Sequence, residues 1–211
     1  MHIPDGLLHP AVIGATGAAA AGAISVAVVK VGKELEDAAV PQIGILAAFL
    51  FVAQMLQFPV APGISGHLLG GALTAILAGP WAACIIVTTV LLIQCFIFQD
   101  GGLLALGANI LNMGVIGVFS AHYSFTFLRK VLPSHRETAA IFAASVFSVV
   151  AAAAAAGAEL GISGIFPLLP GLATISGIHV LIGFGEACIT VFAVLFIKKN
   201  IPEYAHIRIR Q

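Results

Sequence analysis

The sequence predicts an all-α protein, a polytopic bundle of about seven transmembrane helices with its N-terminus outside and its C-terminus in the cytoplasm. Three observations predict it. Of 211 residues, 60% are hydrophobic and 9% charged, where soluble domains carry about 25% charged residues. The apolar residues fall in runs close to the roughly 20 residues that one helix needs to cross a bilayer core. And when the helices alternate in direction, every Lys and Arg falls on one side, which the positive-inside rule makes cytoplasmic.

Helices are expected over residues 8–30, 42–58, 67–79, 82–98, 105–128, 138–158 and 174–197. Lys30 and Lys33 then lie in the first loop, Arg129, Lys130 and Arg136 in the fifth, and Lys198, Lys199, Arg208 and Arg210 in the tail. Residues 1–10 carry Asp5 and no basic residue, so the start lacks the positive region of a secretory signal and is expected to stay uncleaved, outside the membrane. The chain divides into an arm (1–7), a helix bundle (8–197) and a cytoplasmic tail (198–211) within a single integral-membrane unit, 1–211. Cys84, Cys95 and Cys188 sit in apolar runs without C-x-x-C spacing, which points to small buried hydrophobes rather than zinc or disulfides.

The run from His67 to Gly79 is too short to span. Thirteen residues make about 20 Å of helix against a hydrocarbon core of about 30 Å. If the turn at Gly79–Trp81 lies at the inner surface, His67 starts its helix well below the outer one. The preceding FPVAPGISGH (58–67) has two prolines and two glycines and is not expected to be helical. Irregular backbone at that depth must be buried in protein or line a polar cavity.

Polar residues within the spans are few, and Gln54, Gln57, Gln94, Asn109, Asn112 and His179 all fall in the predicted outer halves, with Glu186 near the middle of its helix. His67 and His179 reach this outer pocket, and the arm is long enough to fold back into it, with Pro4, Asp5 and Gly6 as turn formers. A Met-His terminus supplies three nitrogens in one plane: the Met1 amine, the deprotonated His2 amide and the His2 imidazole. Amine and amide close a five-membered chelate ring, amide and imidazole a six-membered one. One further imidazole completes a square-planar nitrogen site, a geometry that points to Ni(II) or Cu(II) rather than Zn, Mg or Ca. His67 is the preferred fourth donor and His179 its rival. Ser65, Gln94, Asn109 and His179 are candidates to orient the ligand imidazoles.

MHIPDGLL (1–8), GISGHLLGGALTAILAGPW (63–81), FQDGGLLALGANILNMG (98–114) and GIHVLIGFGEACIT (177–190) resemble the NikM/CbiM family, the nickel and cobalt substrate-capture (S) components of energy-coupling-factor transporters. The resemblance implies a transporter component and no enzyme, with a helix added before the usual six. It implies a membrane T component, two cytoplasmic ATPase subunits and often a small accessory membrane protein as partners in a prokaryotic cell membrane, with no nucleic acid. It also implies Met1, His2 and His67 as the metal ligands. The PDG after Met-His is closer to nickel than to cobalt members, so Ni(II) is the expected substrate, with Co(II) the alternative.

Two other classes fare worse. An intramembrane metalloenzyme needs an open coordination position, and no H-E-x-x-H motif occurs. A stand-alone channel or carrier needs a continuous polar path, and the inner halves of the spans are nearly featureless. GLLALGAN (102–109) lacks the Lys-Ser/Thr of a phosphate loop, so any ATP hydrolysis belongs to partners.

Overall fold

The computed structural model describes residues 2–34, 39–61 and 64–201, apart from the side chains of Glu34 and residues 58–65. Among the described residues, five helical segments are long and apolar enough to cross a membrane, and the molecule is a multi-pass membrane protein. Helix α1 (Pro10–Glu34) opens on a proline, whose missing N–H is no loss in a first turn. His9 caps it, its Nδ1 accepting from the Ala11 N–H at 3.2 Å. Helix α2 (Val40–Met55) likewise carries its proline in the first turn.

The stretch expected to be irregular is instead an antiparallel hairpin of β1 (Gln57–Ala61) and β2 (Ile64–His67), with Gln57 opposite His67. This departs from an all-α chain and moves His67 from a helix start to a strand end. The reason is backbone hydrogen bonding: proline and glycine disfavour helix here, and pairing two strands satisfies amides away from water.

Helix α3 (Gly71–Phe98) is broken at Gly79, which holds φ 74° and ψ 166°, a conformation nearly exclusive to glycine, just before Pro80. The limbs on either side fold back on each other. A straight helix would hold Leu69 and Gln94 about 37 Å apart. Yet the Gln54 amide donates to the Leu69 carbonyl at 2.7 Å and accepts from Gln94 Nε2 at 2.9 Å. At the break, Trp81 lies under the Lys30 ammonium, 4.3 Å from the ring centroid, at the far end of α1.

The next segment runs as α4 (Leu106–Asn109), a π-helix (Ile110–Gly117) and α5 (Val118–Val131). The start of α3 packs against its middle: a Cβ on Gly71 would sit 3.1 Å from Ser148 Oγ and 3.3 Å from the Gly117 carbonyl carbon. Ser148 donates to the Gly117 carbonyl at 2.8 Å. Helix α6 (Glu137–Ile162) lies along α7 (Leu168–Asn200), with Gly157 and Gly161 admitting Leu172 and Leu168. Glu137 is shared by Lys198 at 2.6 Å and Arg129 at 3.8 Å, tying α5, α6 and α7 at the end of the bundle opposite the arm. The main apolar core is centred on α3, and a smaller cluster of Ile3, Leu8, Ala105, Ala108 and Ala156 seats the arm.

Candidate metal centre

The arm is fastened by groups about a hundred residues away. Asn109 grips Ile3 with both ends of its amide: Oδ1 accepts from the Ile3 N–H at 2.8 Å and Nδ2 donates to the Ile3 carbonyl at 3.1 Å. That carbonyl also accepts from the Gly102 N–H at 2.9 Å. The Asp5 carboxylate accepts from the N–H groups of Leu103, Leu104 and Ala105 at 2.9, 2.8 and 3.1 Å. These donors lie in the turn that leads into α4, where a carboxylate is favoured by hydrogen bonding and by the helix dipole. Gly101 and Gly102 make room: a Cβ on the first would press within 3.3 Å of His2 Nδ1, and one on the second would overlap Asp5.

So held, the His2 ring lies on the His67 ring, centroids 5.1 Å apart and planes inclined by 29°. Both imidazoles are buried, and burial is the main cause that pushes each pKa from 6.5 down to about 3, so both rings are neutral at physiological pH. His67 Nδ1 lies 2.9 Å from the Leu68 carbonyl. A carbonyl only accepts, so the proton sits on Nδ1 and the lone pair on Nε2. His2 Nε2 is buried without a hydrogen-bond partner among the described residues, with the Asp100 carboxylate 3.8 Å away. Neutral imidazole is the form in which histidine ligates a metal.

Beneath His67, the carbonyl of Leu69 is held by Gln54, itself bonded to Gln94, while the N–H groups of Leu69 and Gly70 donate to Glu186 at 2.6 and 3.0 Å. The sequence candidates therefore sort as follows. His2 and His67 are together, Asn109 holds the arm, and Gln94 supports the backbone beyond His67 through Gln54. His179 is bonded within its own helix, Nδ1 to the Ile175 carbonyl at 2.8 Å. Met1 and the Ser65 side chain lie outside the described residues. Sequence reasoning missed Asp5 as a cap, Asp100 beside His2, and Glu159, whose carboxylate accepts from Asn112 Nδ2 at 2.7 Å. The signal for Asp100 was the FQDGG stretch itself, which places a carboxylate beside two glycines.

A membrane bundle with two buried, neutral histidines under a fastened arm defines a polytopic protein suited to hold a small cation. Comparison with known proteins makes this specific. Residues 2–204 match the model of a family described as the cobalt uptake substrate-specific transmembrane region, and the chain belongs to that family. It is similar to the fused nickel transport protein NikMN of Rhodobacter capsulatus, 33% identical over 96% of this chain and 63% of that one. It is also similar to the cobalt transport protein CbiM of Acetoanaerobium sticklandii, 30% identical over 72% of this chain and 66% of that one. The chain spans about two thirds of the length of the fused nickel transport relatives it matches. A crystal structure of a truncated transition metal transporter superposes with a TM-score of 0.86 at 32% identity, covering 94% of this chain and 99% of that one. The protein is thus a component of a metal-uptake transporter and not an enzyme.

Proposed function

We propose that this chain captures Ni(II) from outside a prokaryotic cell as the S component of an ATP-driven energy-coupling-factor importer. The observation that carries the reading is the buried His2–His67 pair, set under an arm whose first residues are a chelating sequence. The ligands are the Met1 amine, the His2 amide and Nδ1, and the His67 imidazole, whose Nδ1 proton on Leu68 leaves Nε2 to face the metal. Asp100, 3.8 Å from His2 Nε2, is the carboxylate placed to close on that N–H when the metal is bound, as carboxylates commonly do for ligand histidines.

Counted limb by limb, α3 contributes a short re-entrant limb and one crossing, which supports seven helices in all, with the arm outside and the basic end in the cytoplasm. The partners are a membrane T component, two ATPase subunits and a small accessory membrane protein. A deprotonated amide in a planar nitrogen set favours Ni(II) over Co(II). Co(II) is the second reading, favoured by the cobalt transport relatives.

The test is a nickel titration of the purified chain against one with a single Ala placed before Met1. The extension removes the amine from the chelate and leaves every side chain intact. Nickel affinity is expected to fall by at least 100-fold, and unchanged affinity would sink the site.

A further inference from the structure

Glu186 is the one carboxylate at the middle of α7, fully buried, and the proposed ligand set makes no use of it. Both of its oxygens are engaged with the same piece of backbone: Oε2 accepts from the Leu69 N–H at 2.6 Å and Oε1 from the Gly70 N–H at 3.0 Å. These two amides stand at the start of the recessed limb of α3, where Gly70 is the helix cap in a left-handed conformation, φ 77°. A Cβ there would collide with Leu50, so the segment is pressed between α2 and α7. From the opposite side Gln54 holds the carbonyl of Leu69 at 2.7 Å. The backbone leading to His67 is thereby gripped by side chains of two different helices within three residues of the imidazole.

A carboxylate buried at this depth is costly, and water or a serine would satisfy the same amides at lower cost. A bidentate clamp gives something a single acceptor does not: it fixes the orientation of two successive peptide planes, and with them the direction in which the chain leaves Leu68 toward His67. The Leu68 carbonyl in turn accepts the hydrogen bond from His67 Nδ1–H. From Glu186 the line runs through Leu69 N–H and the Leu68 peptide to the imidazole tautomer.

We propose that Glu186 is a positioning residue for the metal site: it sets the orientation of His67, and so ties α7 to the fourth ligand of the captured ion. The inference rests on the capture reading above. It differs from plain helix capping in one respect. A cap raises stability whether or not the metal is bound, whereas a positioning residue acts on affinity only through His67.

The experiment is a double-mutant cycle on the full chain in detergent, read by Ni(II) titration and by the visible absorption of the nickel complex. Wild type, Glu186→Ala, Glu186→Gln, His67→Ala and the His67→Ala/Glu186→Ala pair are compared, with Thr190→Val as a control at another buried position on α7. Glu186→Ala is expected to weaken nickel binding by about 10- to 100-fold and to shift the absorption band. In the His67→Ala background, where the amine, amide and His2 remain, the same change is expected to have no further effect. Glu186→Gln keeps one acceptor and the side chain's shape, so it carries the test if Glu186→Ala fails to fold, and a smaller loss in the same direction is expected. Unchanged affinity in both Glu186 variants, or an equal loss with and without His67, overturns the inference while the capture reading stands. Absence of nickel binding in the wild type overturns both.

Discussion

A neutral imidazole is a ligand and an imidazolium is not, so the surroundings of His2 and His67 set the pH range in which the site works. Burial takes both pKa values down to about 3, so neither ring must lose a proton to bind metal above that pH. The protons released on binding then come from the amide and, below its free pKa of about 7.7–8.0, the amine. As the pH is lowered, nickel affinity is expected to fall about 10-fold per unit above pH 8 and about 100-fold per unit between pH 7 and 5. Titration across that range checks it; a steeper fall below pH 6.5 would show that the imidazoles titrate. The same depression acts on folding. Between about pH 3 and 6.5 the unfolded chain binds more protons at these rings, so stability is fully present above pH 6.5 and declines as pH falls toward 3. The Met-His start and His67 stand out in the sequence as candidate ligands because their chemistry is local, and the structure brings the His2 and His67 rings together. Asp5 was not legible in its role: Pro4-Asp5-Gly6 reads as a turn, and nothing in it names the amides of residues 103–105 as the carboxylate's partners; Asn109 was picked out, but as a partner of an imidazole rather than of the Ile3 backbone.

Among the elements, the break in α3 carries the geometry of the site, because it returns the chain to the level of Gln54 and leaves His67 recessed. Gly79 has open space where a Cβ would go, but its φ and ψ exclude other residues. Gly79→Ala is therefore expected to cost roughly 1–3 kcal/mol of stability, without a clash. Thermal unfolding of the metal-free protein should show this loss, with nickel stoichiometry unchanged. A loss of nickel binding with unchanged stability would contradict this role. The Gly-Pro turn and the short run before it were readable from length alone. The hairpin was readable only as an absence of helix, since strand pairing answers the hydrogen-bonding needs of a buried backbone rather than the propensities of FPVAPGISGH. The π-helix at Ile110–Gly117 left no trace in the sequence, whose apolar residues suit an ordinary helix. At its last residue, Gly117, it is packed by Gly71 and hydrogen-bonded by Ser148.

For the whole molecule, the two ends of the bundle differ in kind. One holds the arm, Asp100 and the histidine pair; the other holds the Arg129–Glu137–Lys198 cluster. The class of the protein was legible because composition and run length are global quantities. Capture without a nucleotide site implies that the chain in vesicles binds nickel but does not accumulate it until ATPase and membrane partners are added. Accumulation by the chain alone would favour a self-sufficient carrier. The most direct test of the central claim is X-ray absorption of the nickel complex of the purified chain. Four nitrogen ligands in a square plane, with a diamagnetic yellow complex, are predicted. A six-coordinate paramagnetic ion, or sulfur among its ligands, would contradict the site.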